Sequence, residues 1–293
     1  MFGQRLPGGY RRVAELGSKG NYIQTCRAKD GNSEVVVKLH STFVQGELDL
    51  WTGNDLRDRV DRLCPHFDSL VAMPPTPGVA PWLRYHQLHR QRCFVLCRRY
   101  YPERTIDRFR PAWEVPNDLP SLDLVTAFQS LASGLDYLSD RLGGVGNLAV
   151  TPNNIFMDGE RAVLADQGLE ELHDIIEQSY DGPRSVRANP YDWLKFGGGR
   201  VETVLSCLAA VYFHMRTGHP LLTSRNWETK SRLDREREIA ENYVKLREGE
   251  IDLSELPDPR ERVAISQALG LNPHRQFPSC REFALSLLEI ASP

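Results

Sequence analysis

The sequence predicts an α+β fold with two lobes in a single domain spanning 1–293: a small antiparallel β-rich lobe over about residues 10–100 and a larger α-helical lobe over about 101–290. Three observations predict it. Short runs rich in β-branched and aromatic residues, separated by turn residues, fill the first hundred positions. Apolar residues at steps of three and four dominate the remainder. The stretch "RRYYPER" connects the two regions.

The elements follow in order. "YRRVAEL" and "SKGNYIQTCRAKD" read as strands, and "EVVVKLH" as a third. Asp30-Gly31 before the three valines marks a hairpin turn, because glycine reaches the left-handed backbone that such turns need. Residues 44–64 carry apolar side chains at helical spacing, interrupted at Gly53 and Asn54. "MPPTPGVAP" at 73–81 is loop. "WLRYHQL" and "CFVLCRRYY" are two further strands around the turn "HRQR". Residues 121–142 form a helix capped by Ser121, and "IFMDGERAVLAD" forms a hairpin turning at Asp158-Gly159. The run 199–218 is apolar nearly all round and ends in glycine, so it is a buried helix with a C-terminal stop. Later helices lie near 234–248, 258–270 and 279–291.

Bulk properties exclude some functions. A net charge of −3 disfavours nucleic acid and anionic membranes as partners. No apolar run approaches the roughly 18–20 residues needed to span a bilayer, and "MFGQRLPGGYRR" lacks a signal-peptide core. The six cysteines include no CxxC pair, so free buried thiols in a reducing cytoplasm are expected.

Several short motifs then fall in one order. "ELGSKGNYIQTCRAKD" is a glycine-bearing loop region, "VVVKL" a strand ending in lysine, "TPNNIF" and "LADQG" flank the hairpin, and "MRTGHPLL" ends the buried helix. "ALGLNPHRQFPSCREFALSLLE" closes the chain. Together, from about Tyr10 to Ile290, they resemble the bacterial branch of the eukaryotic-type serine/threonine protein kinase family. The resemblance implies a protein-kinase-like fold and a site for ATP and Mg2+. It assigns Lys38 to the phosphates and Gly17 and Gly20 to the glycine-rich loop. It places Leu96 among the nucleotide-contacting residues and makes Asn154 and Asp166 the metal ligands. Oxygen donors suit that hard cation. The acid partner of Lys38 belongs on the 44–64 helix; Asp55 fits the spacing best, with Asp58 one turn on and Glu47 too early.

The departures from the family pattern form a group. Counting back from Asn154 places Ala149 where the catalytic base belongs; a shifted alignment places Asn147 there. Neither side chain accepts a proton as a carboxylate does, and losing a positioned base typically costs about 10²–10⁴ in rate. Leu148 stands where an arginine is usual, and Gln167 replaces a phenylalanine. Tyr191 and Gln276 stand where the family buries a Glu–Arg pair, and Val204 where it has an aspartate. Losing both ends of a buried pair together is nearly neutral, whereas losing one is not.

No residue is therefore assigned a catalytic role. The expectation is a degenerate family member, a pseudokinase that regulates or scaffolds a protein partner in the cytoplasm and holds ATP and Mg2+ without efficient transfer. The alternatives are a weak or non-standard phosphotransferase, or a purely interacting domain in which Lys38 and Asp166 serve as structural ions.

Overall fold

The computed structural model describes residues 4–19, 23–41, 61–88, 93–103, 105–106, 110–111, 121–141, 150–169, 172, 201–223, 230–271 and 276–291. The chain divides into two units. The first comprises Met1–Thr76, Ala80–Pro102 and Gly168–Ser185, and the second Pro77–Val79, Glu103–Gln167 and Val186–Pro293.

In the first unit the strand-like runs form one antiparallel sheet: β1 (Arg11–Lys19), β2 (Ile23–Asp30), β3 (Ser33–Ser41), β4 (Trp82–Leu88) and β5 (Cys93–Arg99). Their spatial order is β1-β2-β3-β5-β4. The β2–β3 turn is the expected one: Asp30 pairs with Ser33, and Gly31 has φ +59°. Val35, Val37 and Leu39 of the central strand β3 are each at most 1% exposed and pack with Cys26, Ala28, Val95 and Cys97 on one face. Val36, Lys38 and His40 point to the other, where Val36 and His40 are buried and Lys38 is half-buried.

The helix expected over 44–64 lies almost entirely outside the described residues. What the structure adds is α1 (Cys64–Val71), with Pro65 in its first turn. Its Phe67 packs on Phe94 and Tyr85, with ring centroids 4.9 and 5.8 Å away. Register places Phe94 and Tyr85 on the face of Lys38, so α1 covers part of that face. Tyr85 donates to Asp68 at 2.8 Å, and burial pushes its phenol pKa well up.

The second unit contains the short parallel pair β6 (Arg110–Pro111) and β7 (Ser121–Leu122). Then come α2 (Leu124–Arg141), the hairpin β8 (Ile155–Asp158) and β9 (Arg161–Leu164), and the helices α3 (Val201–Thr217), α4 (Arg232–Glu248), α5 (Pro259–Ala268) and α6 (Cys280–Ala291). The expected cap of α2 is corrected. Ser121 pairs with Arg110 in the β6–β7 ladder, and Asp123 does the capping, accepting from Thr126 N at 3.1 Å. The buried helix α3 ends as expected: Gly218 has φ +82° and donates to the His214 carbonyl at 2.8 Å. Val204 is 4% exposed, so an apolar residue occupies an interior position there. All six cysteines are free; Cys64 is half-buried and the other five buried.

Two polar contacts tie the helices together. Asp136 of α2 accepts from Cys280 N and Arg281 N at 2.8 and 3.0 Å, placing a carboxylate on the N-terminus of α6. Deep burial, then that carboxylate, pushes the Cys280 thiol pKa well up. Glu261 of α5 is 6% exposed and takes Tyr212 Oη at 2.7 Å and Arg216 Nη2 at 2.9 Å, both from α3. Glu261 thereby has strong partners for both carboxylate oxygens, as a buried charge requires.

Removing one partner leaves the other charge buried. Arg216→Ala should therefore cost about 3–5 kcal/mol in urea unfolding. The triple change Arg216→Met, Glu261→Leu, Tyr212→Phe should recover most of that loss, because it removes the whole buried polar group.

Candidate functional site

Lys38 is held at the middle of the sheet by hydrogen-bonded strands on both sides. It pairs with Thr25 of β2 and with Leu96 of β5. Thr25 pairs in turn with Gly17 of β1. Three of the residues singled out from sequence, Gly17, Lys38 and Leu96, thus stand in one row across four strands. The side chains of Lys38 and Leu96 share a face, because directly paired residues point the same way. Leu96 is fully buried. At Gly17 a Cβ would meet nothing within 4 Å, so the backbone there borders open space.

The neighbouring rows define the edges of this face. On one side lie Ile23, His40 and Phe94, the last under α1. On the other lie Arg27, Val36 and Arg98. Arg98 is 3% exposed, and its guanidinium donates to the Arg99 carbonyl at 3.1 Å. Arg27 bonds Glu34 at 2.6 Å and lies 4.7 Å from the Tyr100 ring centroid. Gly20, Asp55, Asp58 and Glu47 lie outside the described residues.

In the second unit the β8–β9 hairpin brings the two expected metal ligands to one end. A 3-10 turn over Pro152–Asn154 leads into β8, with Asn154 N donating to the Thr151 carbonyl at 2.9 Å. The ladder pairs Ile155 with Leu164 and extends one step further, where Ala165 N donates to the Asn154 carbonyl at 2.7 Å. Asp166 follows directly. It is 7% exposed and has φ +64°, the one described non-glycine residue with positive φ. Aspartate tolerates that region better than most residues, but at a cost of about 1 kcal/mol or more.

The hairpin is braced from below. Ser130 of α2 donates to the Ala162 carbonyl at 3.0 Å and accepts from Ala162 N at 3.1 Å. Gly78 accepts from Leu164 N at 2.9 Å. Gly78 also crosses α2 at Gly134, where a Cβ would meet the Gly78 carbonyl carbon at 2.7 Å. The segment Pro77–Val79 of this loop is therefore part of the scaffold beneath Asn154 and Asp166.

Asn154 and Asp166 supply two oxygen donors from adjacent backbone positions, a donor set that fits a hard cation such as Mg2+ once phosphate oxygens complete its shell. Among the described residues no group of three or more His, Cys, Asp and Glu side chains could hold a metal alone. Past Asp166, Gln167 is fully buried. Gly168 belongs to the first unit, and its carbonyl lies 3.3 Å from Nε2 of His66 on α1. His66 was not indicated by sequence, since 102 positions separate it from Gly168. Asn147, Leu148, Ala149 and Tyr191 lie outside the described residues. Gln276 is half-buried and sits over Gly270, which has φ +73°.

No protein-family model matches the chain, and no curated protein sequence does. Solved structures do. The chain is similar to Rad53 residues 1–466 in complex with AMP-PNP, with a TM-score of 0.60 at 12% identity. The match covers 94% of this chain and 64% of that one, so the chain spans less than two thirds of its length. The likeness, with the five-stranded antiparallel sheet and the helices, shows a protein-kinase-like α+β fold. No helix among the described residues is long and apolar enough to cross a membrane.

Gly168 offers a direct test of the turn after Asp166. Its φ is +76°, and an added Cβ would lie 2.7 Å from Leu70 Cδ1 and 2.8 Å from His66 Nε2. Gly168→Ala should cost about 2–4 kcal/mol in urea unfolding, from left-handed strain plus crowding. Gly159→Ala is the control: φ is +66° but the space is open, so strain alone, about 1–2 kcal/mol, should remain.

Proposed function

We propose that this chain is a pseudokinase: a protein of kinase-like fold that binds ATP and Mg2+ and regulates or scaffolds a protein partner without efficient phosphoryl transfer. One observation carries the reading. Gly17, Lys38 and Leu96 share a row of the sheet, although the sequence has no carboxylate where the resemblance puts the catalytic base.

Phosphoryl transfer depends on positioning and on charge stabilisation. Lys38, fixed by two flanking strands, meets the phosphates as a point charge. Gly17 lets the ligand approach backbone without a side chain in the way. Leu96 provides apolar surface beside Lys38. Asn154 and Asp166 hold the cation, which neutralises phosphate charge when bound. A base at Ala149 or Asn147 is lacking in either alignment, so the proton of an accepting hydroxyl has no carboxylate to receive it. Nucleotide then acts as a conformational ligand, favouring whichever arrangement of the protein binds it better. The Rad53 structure, which contains AMP-PNP, supports nucleotide as the ligand to test first.

Thermal unfolding with 5 mM ATP, with and without Mg2+, tests this. A rise of roughly 2–4 °C is expected, the shift that about 1 kcal/mol of linkage gives a chain of this size. Lys38→Ala should remove the whole shift, and Asp166→Ala only its Mg2+-dependent part. No shift in any condition refutes nucleotide binding. Transfer of labelled γ-phosphate that disappears in Lys38→Ala makes the protein an active phosphotransferase instead.

A further inference from the structure

Among the buried ionisable side chains, Arg98 of β5 has none of the roles assigned to Lys38, Asn154 and Asp166. It is 3% exposed. It pairs with Val36 of β3 on one side and with Trp82 of β4 on the other. Directly paired residues point the same way, and Val36 is two positions from Lys38, so Arg98 belongs to the Lys38 face. Its guanidinium is turned back onto the end of its own strand, where Nη1 donates to the Arg99 carbonyl at 3.1 Å. A guanidinium is costly to bury, and packing alone would be served as well by an apolar side chain.

Exposure changes across this face. The Lys38 end is partly open: the lysine is half-buried, and a Cβ at Gly17 would meet nothing within 4 Å. The apolar surface beside it is closed, with Leu96 at 0%, Val36 at 1% and Trp82 at 2% exposure. The far side of Lys38 is closed as well, since Phe67 of α1 packs on Phe94 at 4.9 Å and His40 is 0% exposed. A nucleotide needs two surfaces, a cation for its phosphates and an apolar platform for its base. The cation is accessible. The platform that Leu96 and Val36 would make is covered, and the Arg98 side chain stands next to both.

We propose that Arg98 closes the base end of this face, so that the chain reads a polyphosphate and its cation and leaves the base unread. On the nucleotide-binding reading of Lys38, from which this follows, the ligand class is any Mg2+-polyphosphate, with or without a base. Arginine suits the closing role. It is always charged and only donates, so hydrogen bonds to acceptors such as the Arg99 carbonyl hold it in place. A base entering over Val36 and Leu96 must displace the side chain and break such bonds around a buried cation. A polyphosphate at Lys38 needs neither.

Isothermal titration of the full chain with Mg2+-ATP and with Mg2+-tripolyphosphate tests this. The wild type should bind both with dissociation constants within about threefold of each other, because the base contributes little. Arg98→Ala frees the surface of Val36 and Leu96. It should tighten Mg2+-ATP by on the order of tenfold while tripolyphosphate gains nothing. Wild-type binding of ATP about tenfold or more tighter than tripolyphosphate overturns the proposal and leaves nucleotide binding standing. So does a cooperatively folded Arg98→Ala that binds ATP no better than the wild type does. If that variant does not fold, the wild-type comparison decides alone. Binding of neither ligand to the wild type or to Arg98→Ala removes nucleotide binding at Lys38 itself, and the role of Arg98 with it.

Discussion

The pleat of β3 is the constraint on which the first unit depends. Alternate side chains of this strand must go to opposite faces, so Val35, Val37 and Leu39 enter the apolar layer while Lys38 faces away. A slip of one residue would drive the ammonium group, and His40 with it, into the apolar layer of Cys26, Val95 and Cys97. The slip is opposed from both sides. β2 pairs with β3 from Ser33 to His40 without a bulge, β5 pairs from Val35 to Ser41, and the Asp30-Gly31 turn fixes the count of residues between strands. The position of the lysine is thus a by-product of burying its neighbours. The same pleat supplies the thiol layer on the reverse face, so the two faces cannot be shifted independently.

The second unit depends on a different local device. A hairpin of two four-residue strands has too little area to hold a turn such as that at Asp166. Its support comes from α2, through the two-way bond between Ser130 and Ala162, and from the loop at Gly78. Gly78 and Gly134 allow the loop and helix backbones to meet where side chains would separate them. That rigidity matters because a left-handed aspartate persists only where its surroundings over-determine it.

Elements with a short period were legible in the sequence. The β2–β3 and β8–β9 hairpins, the β4–β5 pair and the boundaries of α3 to α6 follow from alternation, helical spacing and glycine stops, each read over a few residues. Asn154 and Asp166 were singled out by resemblance, and the hairpin register that brings them to one end follows from the Asp158-Gly159 turn. The cap of α2 was not. Ser121 and Asp123 are both good capping residues, and the pairing of Ser121 with Arg110 decides between them. The helix α1 escaped because eight residues give only about two turns over which to read a period. The Arg216–Glu261 pair and the His66–Gly168 contact span 45 and 102 positions, and no local pattern encodes such partners.

The residues retained at the candidate site are costly ones. Asp166 is an ionisable side chain at 7% exposure on a strained backbone, and Lys38 is a half-buried amine on a sheet otherwise rich in valine and leucine. Buried charges can often be exchanged for apolar residues of similar size with neutral or favourable effect on stability. By resemblance, Tyr191 and Gln276 stand where the kinase family has a buried ion pair, and Val204 where it has an aspartate. If Lys38, Asn154 and Asp166 served packing alone, the same exchange would be open to them. Their cost is offset if a polyphosphate and its cation bind the folded chain, since a ligand that binds only the folded state stabilises it by mass action. On the proposed reading, a base would act on the accepting hydroxyl, whereas Lys38, Asn154 and Asp166 would act on the nucleotide and its cation. Loss of transfer and retention of binding would then be separable, because they depend on different reactants.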